Sequence, residues 1–226
     1  MVTSPSQRSR TSGRRQRERA ARAQDILVAA RKLFLANGIA ATTMDDVARA
    51  CDLAKGTLYL YFASKDQIAF ELLLQDTDAL LAALRDSVDS TAPAAVQLER
   101  LAATYYRFYI AQPESFRFMF VVPHESYAGR AGDESLVRWA EAGRAALGLI
   151  AGLLERAAAE DGLDVPDPWS AAVAMWSAIT GVIVIPSQEV RRPFIGNVDV
   201  ERLVVETVRR LVRGMSLDEA KGRSVT

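Results

Sequence analysis

Residues 42–68 of the 226-residue chain read TTMDDVARACDLAKGTLYLYFASKDQI. The two threonines at its start precede Asp45 and Asp46, a helix cap followed by acids in the first turn, where the helix dipole favours them. A second helical segment follows the turn Cys51-Asp52-Leu53. Asp tolerates positive φ better than most residues, although less well than Gly. Two short helices joined by so tight a turn predict a helix-turn-helix.

The second of these segments, residues 55–65, has the groups that a phosphate-lined groove requires. Gly56 lets the backbone approach a ligand closely, and lysines stand at both ends of the segment. Hydroxyl donors come from Thr57, Tyr59 and Tyr61. Each residue taken singly also fits an ordinary packed or solvated helix, so only the combination indicates nucleic-acid binding.

Helical periodicity also dominates outward from this stretch, and no β-alternation is evident. The sequence predicts an all-α fold of about nine helices, with loops at residues 123–132 and 186–197. The predicted helices cover residues 22–37, 44–51, 54–62, 65–87, 94–111, 113–120, 133–161, 169–185 and 199–214.

Charge is distributed unevenly along the chain, although 28 bases and 28 acids give a net charge of zero. Residues 1–65 hold twelve bases and five acids, a net +7, and the remainder has a net −7. This asymmetry indicates a head that binds a polyanion and a body with another role. We predict a flexible basic arm at residues 1–21, either touching DNA or merely solvated, then domains at 22–68 and 69–226.

Targeting and membrane signals are weak. The Arg-rich start is compatible with a mitochondrial transit peptide, but it lacks an amphipathic apolar face. Residues 168–188 carry no charge, which raises the possibility of a membrane span. A helix that is apolar all round can equally be buried in protein, and we favour burial in a subunit interface. With Cys51 as the single cysteine, no internal disulfide can form, and we expect a cytoplasmic protein without a membrane partner.

Residues 22–70 together resemble the DNA-binding domain of the tetracycline-repressor (TetR) family of bacterial transcriptional regulators. The resemblance implies that the third helix enters the major groove. Bases or the groove floor would face Lys55, Gly56, Thr57 and Leu60, while phosphates would contact Tyr59, Tyr61, Lys65 and either Thr42 or Thr43. Three residues depart from the family pattern: Asp52 replaces the usual Gly, Ala54 the usual Ser, and Thr180 a frequent His.

The rest of the chain resembles the family's effector-binding and dimerisation domain, in which the last two long helices pair with those of a second subunit. The expected dimer interface comprises Trp169, Val173, Ile179, Val182, Leu203, Val204 and Leu211. An effector pocket needs an apolar wall and a few polar groups. The candidates for it are Tyr105, Tyr109, Phe116, Phe120, Trp139 and Trp176, although aromatic residues at helical spacing are more often plain core.

These observations predict a homodimeric, ligand-responsive transcription factor, in the first instance a repressor. Its partners would be double-stranded operator DNA and an unidentified small-molecule effector. Three alternatives stay open: a transcriptional activator, a nonspecific nucleoid-type DNA-binding protein and an all-helical enzyme. The enzyme is disfavoured because no catalytic triad, carboxylate dyad or metal set can be assembled from the sequence, and we expect no cofactor.

Overall fold

The computed structural model describes residues 5–122 and 133–215, and the predicted loop at residues 123–132 lies outside them. Ten α-helices occupy the described residues: α1 (Pro5–Asn37), α2 (Met44–Ala50), α3 (Lys55–Tyr59), α4 (Lys65–Ser87), α5 (Ala94–Ala111), α6 (Pro113–Phe120), α7 (Asp133–Asp161), α8 (Pro168–Ser187), α9 (Arg192–Ile195) and α10 (Val200–Gly214). A single 3₁₀ turn covers Glu189–Arg191. Every regular element in these ranges is helical, which confirms the predicted all-α fold.

The chain divides into two compact units, and the division within α4 follows Leu74. In the first unit, the apolar stripe of α1 supplies Ile26, Ala30 and Phe34, each at most 1% exposed. These residues recur every fourth position and therefore share one helix face. Val47 of α2 and Leu58 of α3 are fully buried in the same unit. Full burial of a large apolar side chain contributes about 1.5–3 kcal/mol to stability. Burial of these side chains therefore stabilises a unit whose second and third helices are short.

The first helix is much longer than predicted. It begins at Pro5 rather than near Arg22, so the expectation of a flexible arm is wrong for residues 5–21. Residues 14–21 consist entirely of Arg, Gln, Glu and Ala, and all four are good helix formers. An i,i+4 ion pair joins Arg14 Nε to Glu18 Oε1 at 2.7 Å. Gly38 ends the helix with φ +82°, as predicted, and its amide donates to the Phe34 carbonyl at 3.0 Å.

In the second unit, α10 packs against α5 and α8. The buried face of α8 consists of Ala172, Met175, Ile179 and Ile183, spaced three or four residues apart. By length and composition α8 could cross a membrane, yet only 22% of its most apolar 18-residue window is buried within this chain. Much of the surface of this uncharged helix is therefore left uncovered by the described residues.

Two expectations about this unit are corrected. The predicted loop at 186–197 is largely helical, because α8 continues to Ser187 and a 3₁₀ turn and α9 follow. The predicted dimer interface is wrong for Ile179 and Val204, which are 5% and 0% exposed inside their own chain. A side chain enclosed by its own subunit has no surface left for a partner.

Candidate nucleic-acid interface and effector site

The turn between α2 and α3 is closed by two backbone hydrogen bonds. The amide of Leu53 donates to the Ala48 carbonyl at 2.9 Å, and the amide of Asp52 donates to Arg49 at 3.2 Å. This is a Schellman motif, in which the residue after the helix cap adopts the left-handed conformation. Asp52 occupies that position with φ 53°, and it is the one non-glycine residue with positive φ in the described part of the chain. The predicted strain at Asp52 therefore has a conformational basis.

The third helix is short and starts without a side-chain cap. Ala54 stands at its N-cap with extended φ and ψ and makes no capping hydrogen bond. A Ser in this place would satisfy one of the free amides of the first turn. The helix ends at Tyr59 rather than near Phe62, so Leu60 and Tyr61 lie in the following turn. Leu58 anchors the helix from below, being fully buried.

The outer side of this segment is open. Leu60 is 70% exposed and Tyr59 46% exposed, which is unusual for large apolar and aromatic groups. Gly56 is exposed, and a Cβ built on it would meet no atom of the chain within 4 Å. Nothing within the described fold therefore requires a glycine here. An approaching ligand backbone or base edge would give a reason for it.

The two lysines of the segment differ in their surroundings. Lys55 Nζ lies 2.8 Å from Asp45 Oδ1 of α2, and both side chains are more than half exposed. The hydrogen bond that Lys55 donates to the Asp45 carboxylate, together with the charge of that carboxylate, raises the pKa of Lys55 above the usual lysine value. Such an exposed pair contributes little to stability and is readily exchanged for a phosphate. Lys55 remains available to DNA.

Lys65 is held by the connection between α1 and α2. Its ammonium donates to the carbonyls of Ile39 at 2.8 Å, Ala40 at 2.8 Å and Thr42 at 2.9 Å. An ammonium has three donors, and all three are used here. In this structure Lys65 therefore fixes the backbone leading into α2, and the predicted phosphate contact would require one of these hydrogen bonds to be exchanged.

The two threonines before α2 also differ. Thr42 is 1% exposed, and its hydroxyl donates to the Gly38 carbonyl at 2.8 Å, which contradicts a phosphate contact for Thr42. Thr43 is exposed and forms a capping box with Asp46: its hydroxyl accepts the Asp46 amide, and the Asp46 carboxylate accepts the Thr43 amide at 3.0 Å. The Thr43 hydroxyl also donates to the Asp46 carboxylate at 2.6 Å, and this bond, followed by the bond from the Thr43 amide, lowers the pKa of Asp46. Thr43 stays a prediction as a phosphate contact.

Sequence reasoning missed Arg19 as a neighbour of the recognition segment. Its guanidinium donates through Nη2 to the Leu60 carbonyl at 2.9 Å and lies 5.8 Å from the centre of the Tyr61 ring. Both residues are about forty positions away in the sequence, so no local pattern could relate them. The single available signal was the density of arginines before Ile26.

The predicted effector residues form one aromatic cluster in the second unit. Ring centres are 4.7 Å apart for Phe116 and Phe120, and 5.4 Å apart for Tyr105 and Phe116. Tyr109 joins through Phe116 at 5.1 Å, and Trp176 of α8 through Phe120 at 6.2 Å. Five of the six predicted residues are thus in contact, while Trp139 lies half-buried on α7 and stays a prediction.

One polar pair lies within this aromatic cluster. The hydroxyls of Tyr105 and Thr180 are 2.9 Å apart, and Tyr105 is 5% exposed. Burial raises the pKa of Tyr105, so its hydroxyl stays protonated at physiological pH. Thr180 is one of the three residues that depart from the expected family pattern, and it provides a hydroxyl at this place. Aromatic walls with a small polar group are the usual composition of a site for a small apolar molecule.

A short helix with an open outer side, placed on a Schellman turn in the basic part of the chain, defines a helix-turn-helix DNA-binding protein with a separate helical body. Residues 26–72 match the family described as bacterial regulatory proteins, tetR family. Residues 98–213, about half of the chain, match the tetracyclin repressor-like C-terminal domain. The chain belongs to the TetR family.

Among curated relatives, the chain is 41% identical over 81 residues to the HTH-type transcriptional repressor KstR2 of Mycobacterium tuberculosis. The matched part is 36% of this chain and 39% of that repressor, so the match spans less than half of either protein. Among solved structures, a TetR-family regulatory protein from Rhodococcus RHA1 has a TM-score of 0.71 at 19% identity, covering 86% of this chain and 97% of that one. The regulator FadR from Bacillus subtilis, in complex with stearoyl-CoA, has a TM-score of 0.65 at 17% identity, covering 84% and 98%.

Proposed function

We propose that this protein is a ligand-responsive, DNA-binding transcriptional repressor that acts as a homodimer in the cytoplasm. The observation that carries the proposal is the recognition segment: Leu58 anchors it, while Gly56, Tyr59 and Leu60 are exposed without a reason inside the fold. The family membership and the name of the M. tuberculosis relative support a repressor. Lys55, Gly56, Thr57 and Leu60 read bases, and Tyr59, Tyr61 and Thr43 contact phosphates or sugars.

Dimerisation supplies the second half-site. The uncovered part of α8 and the half-buried Leu203 and Leu211 of α10 form the partner surface, together with Trp169, Val173 and Val182. A two-fold axis between the subunits places two recognition segments about 34–36 Å apart, or a multiple of this, on a near-palindromic operator. Burial of α8 in this interface accounts for its lack of charge without a membrane.

Selection of bound duplexes from a random DNA pool tests the proposal. The expected result is an inverted repeat whose half-sites are one helical turn, or a multiple of a turn, apart. Equal recovery of all sequences would indicate a nonspecific nucleoid-type protein. No recovery even at low salt would contradict DNA binding altogether. Transcription from the selected site, with and without the protein, separates a repressor from an activator.

The effector site of this proposal is the aromatic cluster around Tyr105 and Thr180. An apolar effector suits it, and one solved relative of the same fold holds stearoyl-CoA. The probe is therefore stearoyl-CoA, with free coenzyme A as the control lacking the acyl chain. A ligand at 100 times its Kd stabilises the folded state by about 2.7 kcal/mol, which raises the Tm of a chain of this size by roughly 5–11 °C. An equal response to both compounds would contradict an apolar effector site.

A further inference from the structure

The first helix carries arginines on the side that meets the recognition segment. Arg15, Arg19 and Arg22 fall within an arc of about 60° on a regular α-helix, and we name this set the arginine face. All three residues are exposed. Arg14 and Arg17 are exposed too, but they lie more than about 100° from the centre of that face.

Contacts of Arg19 settle which way the arginine face points. Its guanidinium donates to the carbonyl of Leu60 and lies against the Tyr61 ring, in the turn that follows α3. Arg15 stands one turn before Arg19 and Arg22 about one turn after it, so both flank the recognition segment on the same side of α1. Leu60 itself is 70% exposed. Because Arg19 contacts Leu60, a duplex that contacts Leu60 also comes close to the arginine face.

Charge on this part of α1 is nearly all positive. Residues 5–24 contain seven arginines and one acid, Glu18. The Glu18 carboxylate pairs with Arg14 at 2.7 Å, so it neutralises a residue outside the arginine face. Arg22 has an acidic neighbour in Asp25, but at 3.9 Å that pair is long and exposed. Exposed pairs of this kind are weak and are easily replaced by a phosphate.

The length and the helical conformation of α1 also suit contact with a duplex. From Arg15 to Arg22 the arginine face extends about 10 Å along the helix, and a duplex carries one negative charge per roughly 1.7 Å of its axis. A surface of this length meets several phosphates at once. Because the residues are already helical, little conformational entropy is lost when they bind, in contrast to a flexible basic tail.

We propose that the arginine face of α1 is a second DNA-contacting surface, which binds backbone phosphates of double-stranded DNA beside the groove occupied by α3. It rests on the proposed function, since it extends the same interface. It adds a second helical element beside the recognition segment. The protein therefore contacts a longer stretch of DNA than the helix-turn-helix alone would cover. Its contacts are to phosphates, so it increases affinity for all sequences and carries no base preference.

Two double variants of the full chain test this proposal by removing equal charge from different sides of α1. Arg15→Gln with Arg22→Gln removes two of the three arginines of the arginine face, and Arg14→Gln with Arg17→Gln is the matched control. The probes are a duplex selected from the random pool and a duplex of scrambled sequence. Binding is measured from 50 to 200 mM salt, and circular dichroism verifies that the helix content is unchanged.

Each phosphate contact adds about 0.9 to the slope of log K against log salt. The expected result is a slope smaller by about 1–2 for the Arg15/Arg22 variant, on both probes, and nearly unchanged for the Arg14/Arg17 variant. Equal reductions in both variants would show a flexible polycation instead of an oriented helix and would overturn the proposal. No reduction in either variant would overturn it as well, by assigning the arm to solvent.

The failure of the proposed function looks different. In that case the unmodified chain binds neither duplex at low salt, and the comparison of variants has no baseline. If the unmodified chain binds RNA of the same length with higher affinity than the duplex, the duplex is the wrong partner for the face. Arg19→Gln provides a further measurement: it removes the charge together with the planar guanidinium that donates to the Leu60 carbonyl and lies against the Tyr61 ring. A salt slope reduced by that variant on both probes supports an oriented arginine face, and an unchanged slope removes Arg19 from it.

Discussion

Lys65 provides the sharpest test of the structure, because sequence and structure assign it different roles. Its ammonium donates three hydrogen bonds of 2.8, 2.8 and 2.9 Å to the backbone that leads into α2. The proposed change is Lys65→Met, which keeps most of the aliphatic length and removes all three donors. The three carbonyl groups that lose their partner are those of Ile39, Ala40 and Thr42.

The magnitude follows from the number and setting of these bonds. A hydrogen bond to a charged group contributes about 1.5–3 kcal/mol in favourable cases. The three bonds share one ammonium, and Lys65 is only half-buried, so water can replace part of the loss. We therefore expect a total destabilisation of about 2 kcal/mol, which for a chain of this size lowers the Tm by roughly 4–8 °C. DNA affinity falls as well, because the α2 entry is displaced, but the salt slope stays the same.

Thermal unfolding followed by circular dichroism measures the first effect, and fluorescence anisotropy over a salt series measures the second. Lys55→Met is the matched control: its exposed ion pair with Asp45 adds little stability, so its Tm should stay within about 1 °C of the unmodified chain. If Lys65→Met left the Tm unchanged and reduced the salt slope by about 0.9, Lys65 would be a phosphate contact. Its role in holding the backbone that leads into α2 would then be refuted.

Four further changes test the recognition segment and its supports. Asp52→Gly relieves a positive φ of 53° and should stabilise the fold by about 0.5–1 kcal/mol in urea titration; a loss of stability would contradict the strain. Ala54→Ser should gain about 1 kcal/mol by capping α3, with Ala54→Val as the control that cannot cap. Gly56→Ala should raise the stability by up to about 1 kcal/mol yet weaken DNA binding, and unchanged binding would remove Gly56 from the interface. Asp46 has a lowered pKa, so its contribution to stability is fully present above the unfolded carboxyl pKa near 4 and is lost as the pH falls through the lower folded pKa; Asp46→Asn should flatten that part of the acid-stability profile.

Much of the local structure was predictable, because local rules decide it. Helices α5, α6 and α7 have the bounds that periodicity and their flanking prolines predict, and Gly38 ends α1 as expected. The capping box at Thr43 and the left-handed Asp52 follow from the chemistry of a few neighbouring residues. Short-range hydrogen bonds and backbone sterics act over four or five positions, which is the range that a sequence pattern records.

The predictions differ from the structure in segments that have no apolar pattern and at residues whose contacts come from distant parts of the sequence. Residues 5–21 have no apolar stripe, so periodicity predicted a flexible arm, although the Arg, Gln, Glu and Ala residues at 14–21 have high helix propensity. Lys65 was assigned to a phosphate because a sequence pattern does not distinguish a lysine that faces solvent from one that donates to backbone carbonyls. Val204 and Ile179 were correct as apolar residues of α10 and α8 and wrong in the partner assigned to them.

Composition and short-range patterns were sufficient to predict the class of the fold, the helix-turn-helix, the basic head and the aromatic residues of the body. Each of these depends on composition or on residues close together in the chain. Which basic groups remain available to a ligand depends on the folded arrangement: it engages Lys65 on three carbonyls, pairs Lys55 with Asp45, and brings Arg19 to the turn after α3. Availability depends on the neighbours that folding brings within 3 Å of a charged group, and those neighbours lie ten to forty residues away in the sequence.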